Sequence, residues 1–196
     1  MSSIEIVAAI FGVVSVFLSV RQNIWSWPTA IVNVGLYIIV FYESKLYADT
    51  GLQVVYVVLN AYGWYHWLYG GKNRTELPVT RTSPRLWLLL VSIGAAGAAV
   101  IGTLLSRNTD AALPYIDAGT TSTSLVAQWM MTRKLLENWI IWVAVDVVYI
   151  GMYIYKSLYV TAVLYLIFLI LSAMGFVQWR KSLKEREAQS LDAAAA

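Results

Sequence analysis

An acid near the centre of a membrane-spanning helix costs at least about 2.5 kcal/mol on insertion scales unless something compensates it. Asp146 falls at such a depth, and no Lys or Arg lies inside any span to pair with it. Two roles are open to it: a hydrogen bond to a neighbouring helix, for instance to Asn33 or a tyrosine hydroxyl, or contact with a substrate or coupling ion. Trp139, Trp142, Asp146, Tyr149 and Tyr153 recur at i, i+3, i+7, i+10 and i+14 and so share one helical face. An acid among aromatic faces suits a flat cationic ring, through Coulomb attraction and cation–π contact together.

Three other segments carry polar stripes. Gln53, Tyr56, Asn60, Trp64 and Trp67 share a face, as do Asp117, Thr121, Ser124 and Gln128, while Asn33 and Tyr37 lie one turn apart. Polar groups in hydrocarbon must face protein or a wet cavity, so all four faces are expected to converge on one cavity. The amides of Gln53, Asn60, Gln128 and Asn138 can donate and accept, which suits hydroxyls and carboxamides, although each could equally bridge two helices. Trp25, Trp67, Trp87 and Trp179 sit near span ends and read as an interfacial belt, and His66 reads as interfacial too.

The elements that must hold these residues are legible from composition. Of 196 residues 59% are hydrophobic and only 13% charged, a membrane composition. Seven segments approach the length of roughly 20 apolar residues that a bilayer demands: 4–20, 27–42, 50–68, 86–105, 115–131, 138–155 and 158–179. The first lacks a basic leader and a small-residue cleavage site and reads as a retained helix. Lys and Arg collect in alternate loops, with Arg21, Lys72, Arg74, Arg81, Arg85, Arg133, Lys134, Arg180, Lys181, Lys184 and Arg186 on one side and only Lys45, Arg107 and Lys156 on the other. The positive-inside rule then places the N-terminus outside and the C-terminus in the cytoplasm. Basic residues confined to loops and tail argue against nucleic acid as a partner. With no cysteine and one histidine, neither a metal site nor a cofactor is expected.

The chain also matches itself at an offset of 112. Leu46, Tyr47, Leu52, Leu59, Ala61, Gly63 and Trp67 fall on Leu158, Tyr159, Leu164, Leu171, Ala173, Gly175 and Trp179, and upstream Trp27 falls on Trp139 and Tyr37 on Tyr149. The expected fold is therefore an all-α membrane protein of seven helices in a 3+1+3 arrangement, two parallel three-helix repeats joined by a linker helix rich in Gly and Ala. Residues 1–71 and 111–181 are the bundles, 72–110 the loop and linker, and 182–196 a cytoplasmic tail.

The motif Trp139-x-x-Trp142-x-x-x-Asp146, preceded by Glu137-Asn138, together with Lys45-Leu46-Tyr47 and Ser157-Leu158-Tyr159, resembles the PnuC-type vitamin transporters. The resemblance runs from Asn23 to Trp179; in the first repeat Trp27 is retained, Ala30 takes the second Trp position and Asn33 stands one residue out of register. It implies a fold related to the SWEET sugar transporters, a homotrimer in the inner membrane, and facilitated diffusion of nicotinamide riboside trapped by phosphorylation. That substrate carries a fixed ring charge, a carboxamide and ribose hydroxyls, the chemistry to which an acid, aromatic faces and amides respond. Thiamine, also a cationic aromatic, or a sugar on the same architecture are rival substrates, and members of the family this chain resembles carry thiamine or riboflavin. A membrane enzyme using Asp117 or Asp146 with His66, or a non-transporting scaffold, is the rival from another class.

Overall fold

The computed structural model describes residues 3–43, 45, 47–108 and 113–195, so Leu46 and the proposed boundary at 110–111 lie outside the described residues. Seven helices follow in order: α1 (Ser3–Val20), α2 (Ser26–Glu43), α3 (Tyr47–Tyr69), α4 (Pro84–Asn108), α5 (Pro114–Thr132), α6 (Asn138–Tyr155) and α7 (Tyr159–Ala195). Prolines open α4 and α5, where their missing N–H and fixed φ cost nothing. Each expected segment is a helix, but α7 runs well past Trp179, so the stretch expected as a tail is helical to residue 195. Among the described residues four helices, α1, α4, α6 and α7, are long and apolar enough by themselves to cross a membrane. The other three carry Asn33, Gln53, Asn60, Thr121 and Gln128, whose polarity lowers their hydropathy.

α1, α2 and α3 pack in succession, α5, α6 and α7 likewise, and the two groups meet through α1 against α7 and α3 against α5. α4 lies chiefly along α5. Its small residues allow the approach: a methyl at Gly97 would sit 2.4 Å from the Ser122 hydroxyl and one at Gly102 2.6 Å from the Tyr115 ring. Ser122 also donates to the Gly94 carbonyl at 2.9 Å.

Backbone geometry repeats at the same spacing as the residues. Left-handed φ occurs at Gln22 and Lys134, and at Lys45 and Ser157, each pair 112 residues apart. The turn after α1 closes with Asn23 N–H to Leu18 O, and the turn after α5 closes with Leu135 N–H to Met130 O. Trp67 donates its indole N–H to Met131 O and Trp179 donates to Ser19 O, both at 3.0 Å. Each bond runs from a third helix of one group to a first helix of the other, and again the partners differ by 112.

Those indoles belong to a buried quartet. Trp27 meets Trp67 edge-on at 5.1 Å, Trp139 meets Trp179 edge-on at 5.4 Å, and Trp67 and Trp179 join the pairs at 5.7 Å. Trp67 and Trp179 are 2% and 0% exposed, which overturns their expected place in an interfacial belt. Gly63 and Gly175, one turn before each, leave the room that Trp27 and Trp139 fill. Trp25, 64% exposed, does face outward.

The segment between α3 and α4, residues 70–83, forms a strap across this end. Leu77 N–H bonds to Trp67 O, Thr80 pairs with the α5–α6 connection through Lys134 O and Leu136 N–H, and Arg186 of α7 donates to Val79 O. Both the N–H and the hydroxyl of Thr82 donate to the Glu137 carboxylate at 2.8 Å. Lys134 is buried with its ammonium 4.4 Å over the Trp67 ring. Burial holds that ammonium down to a pKa of about 8, against the pull of Glu76 in the opposite direction.

Candidate functional site

Six helices, all but α4, enclose a cavity of about 530 Å³, within the range usual for small-molecule sites. Its floor at the strap end is Trp27, Trp139 and Met131, all buried, beneath which lie Trp67 and Trp179. At the opposite end it reaches Glu5, Phe41, Tyr153 and Thr161, which are half-buried. The cavity is therefore sealed toward the strap and extends toward the N-terminal end of α1.

The helical spacing brings the expected residues together. Asp146, Trp142, Trp139, Tyr149, Asn60, Gln53, Gln128, Thr121, Asn33 and Tyr37 all line the cavity, contributed by α2, α3, α5 and α6 as their polar stripes require. Asn138 does not. It sits fully buried at the start of α6 and donates to the Leu135 carbonyl, serving the turn rather than the cavity. Asp117 is likewise absent from the lining: it sits in the first turn of α5, one turn beyond Thr121 on the same helical face.

Asp146 is 3% exposed and accepts a hydrogen bond at 3.1 Å from the Ser172 hydroxyl on α7. Its helix partner is thus neither Asn33 nor a tyrosine. Asn33 instead donates to the Ala8 carbonyl at 2.7 Å, tying α2 to α1. One hydroxyl leaves most of the carboxylate's acceptor capacity unused, since an ionised acid can accept about four bonds. Gln128 donates to Asn60 at 2.9 Å, an amide pair that bridges α5 and α3 while lining the cavity. Bridging helices and facing a ligand are therefore compatible roles for these residues.

Aromatic rings supply most of the remaining wall. Tyr149 stacks on Tyr153 at 5.9 Å, Tyr165 tilts against both at 4.9 and 5.0 Å, Phe168 meets Tyr165 edge-on at 5.6 Å, and Tyr37 stacks on Phe41 at 5.6 Å. The contributions of α1 and α7, through Glu5, Gly12, Ser15, Tyr165, Phe168 and Ser172, are not among the expected residues. Ser172 carried a usable signal, standing 112 residues after Asn60, another buried polar position on the cavity wall. Glu5 and Asp146 are the only charged side chains among the described lining residues, and both are acids. The site can pair a cation, stack a flat ring and satisfy hydroxyls and a carboxamide. Among the described residues no cluster of His, Cys, Asp and Glu could hold a metal.

Comparison with known proteins agrees with this chemistry. The family model described as nicotinamide mononucleotide transporter matches residues 2–181. The nicotinamide riboside transporter PnuC of Escherichia coli (strain K12) is 29% identical over 219 residues, covering 97% of this chain and 90% of that protein. The riboflavin/roseoflavin transporter RibM of Streptomyces davaonensis is 24% identical, over 89% of this chain and 83% of its own. A crystal structure of the vitamin B3 transporter PnuC superposes with a TM-score of 0.74 at 27% identity, covering 93% of this chain and 82% of that one. With nearly the whole chain matched by one family model, this protein is a member of the nicotinamide mononucleotide transporter family.

Proposed function

We propose that this protein carries nicotinamide riboside across the inner membrane by facilitated diffusion, the riboside being trapped inside by phosphorylation. The protein is a membrane transporter of the vitamin B3 class rather than an enzyme, like its PnuC relatives. One observation carries the choice of substrate: Asp146 stands buried in the wall of an aromatic cavity with no Lys, Arg or His among the described lining residues. The pyridinium charge pairs with Asp146 and its ring stacks on Trp142, Trp139 or Tyr149. Gln53, Asn60, Gln128, Asn33, Tyr37 and Thr121 serve the ribose hydroxyls and the carboxamide. The mononucleotide's phosphate dianion would enter a cavity offering two acids and no cation. Riboflavin and sugars bring no charge for Asp146.

The architecture proposed is 3+1+3. Residues 1–71 and 111–181 form parallel three-helix bundles and α4 is the linker. The recurrence of turns, indole bonds and Trp–Gly contacts at a spacing of 112 supports this. A central site between parallel repeats suits alternating access. Eleven of the fourteen Lys and Arg lie at the strap end, which supports a cytoplasmic strap and C-terminus and an external N-terminus. We also infer a homotrimer, from the family resemblance.

Proteoliposomes loaded with buffer alone test this reading. Labelled riboside is expected to equilibrate across the membrane, with no accumulation when a proton or sodium gradient is imposed. Concentration of the riboside above equilibrium under either gradient would overturn facilitated diffusion. Absence of uptake would overturn the substrate.

A further inference from the structure

We propose that Glu5 forms an outer cation subsite that receives the positively charged substrate before it reaches Asp146. This rests on the substrate reading above and adds a second station to it. The cavity has only two charged groups among its described lining residues, one at each level: Asp146 deep in the wall and Glu5 in the first turn of α1.

Their separation follows from helix geometry. Gly12 lies against Asn33 and Phe168, and Phe168 stands one turn from Ser172, the partner of Asp146. Glu5 precedes Gly12 by seven residues and Phe168 precedes Ser172 by four in the same direction, so at 1.5 Å per residue Glu5 stands roughly 16 Å from the Asp146 level. That is too far for one pyridinium to touch both acids and short enough for each to act on a cation held by the other. Between them the wall is aromatic, with Tyr37 stacked on Phe41 on one side and the Tyr149–Tyr153 stack on the other. A cation moving inward therefore passes from one carboxylate to the next along π faces.

Half-buried in a concave, low-dielectric mouth, a carboxylate projects its field into the entrance rather than into bulk water. The neutral alternatives for this substrate class gain nothing from it. An acid in the first turn of α1 also complements the helix dipole, but that role would not distinguish a charged substrate from an uncharged one of the same outline.

Stopped-flow tryptophan fluorescence on the full-length, detergent-solubilised protein makes the distinction, with nicotinamide riboside and its uncharged reduced form as probes. At about 10 mM salt, where the Debye length is about 30 Å, Glu5→Gln is expected to slow riboside association about threefold and to flatten its salt dependence. Association of the reduced form should be unchanged, which also reports that the variant is folded, and Glu5→Asp should keep most of the wild-type rate. Wild-type association of the cation in Glu5→Gln, or equal slowing of both probes, would overturn the subsite. Failure of the wild-type protein to bind the riboside at all would overturn the substrate reading, and the subsite with it.

Discussion

The Asp146 carboxylate meets one hydroxyl, that of Ser172, and otherwise turns its acceptor capacity to the cavity. Replacing it by Asn keeps the shape and removes the charge, so Asp146→Asn should raise the riboside dissociation constant by about tenfold to a hundredfold, read by calorimetry. Ser172→Ala should raise it only about threefold, and Ser172→Thr, which restores the hydroxyl, should recover it. Asp146 is conspicuous in the sequence because an acid at that depth demands an explanation. Ser172 is not, because a serine in an apolar helix usually satisfies itself on its own backbone. Glu5 hides for a different reason: the first turn of a helix is where acids ordinarily lie. Outside the membrane, Lys134 gives a pH test. Its ammonium is held near 8 when folded and returns to 10.5 in the unfolded chain, so between those values the unfolded state binds more protons and stability rises with pH. Thermal unfolding in detergent should shift upward from pH 8 toward pH 10.5, and Lys134→Met should flatten that rise.

Helix contacts are set by where a side chain is missing. A methyl on Gly63 would sit 2.3 Å from the Trp27 ring and one on Gly175 2.5 Å from Trp139, whereas Gly35 and Gly151 have open space. Overpacking of this kind costs about 1 to 3 kcal/mol. Gly63→Ala or Gly175→Ala should therefore lower the midpoint of thermal unfolding by about 5 °C. Gly35→Ala and Gly151→Ala should leave it unchanged or raise it, since alanine is the better helix former. The helices themselves were legible as apolar runs, and the stripes of α2, α3, α5 and α6 foretold the cavity because polar groups in hydrocarbon have few places to go. Their outer neighbours were harder. Trp67 and Trp179 sit near span ends, where a belt residue and a buried one look the same in sequence, and only their packing against Trp27 and Trp139 separates the two. Asn138 deceived in the opposite sense, because its amide suits a ligand's hydroxyls as well as those of Gln53 and Gln128 do, while in the structure it serves the local turn.

At the scale of the whole molecule, the tryptophan floor closes one end of the cavity and the strap ties the same end of α3, α5, α6 and α7 together. In this conformation the cavity extends toward the N-terminal end of α1, and the indole bonds from Trp67 to Met131 and from Trp179 to Ser19 lie across its closed end. The 112-residue offset made a repeat legible in sequence. That the two halves grip each other's first helices through equivalent tryptophans was not, because a contact between halves leaves no periodicity along the chain. If the cavity recognises the riboside through its ring charge, titration calorimetry of the purified wild-type protein will show it. Saturable heat is expected with nicotinamide riboside and none with nicotinamide mononucleotide, riboflavin or free nicotinamide. Saturation with the mononucleotide or riboflavin, and silence with the riboside, would contradict it.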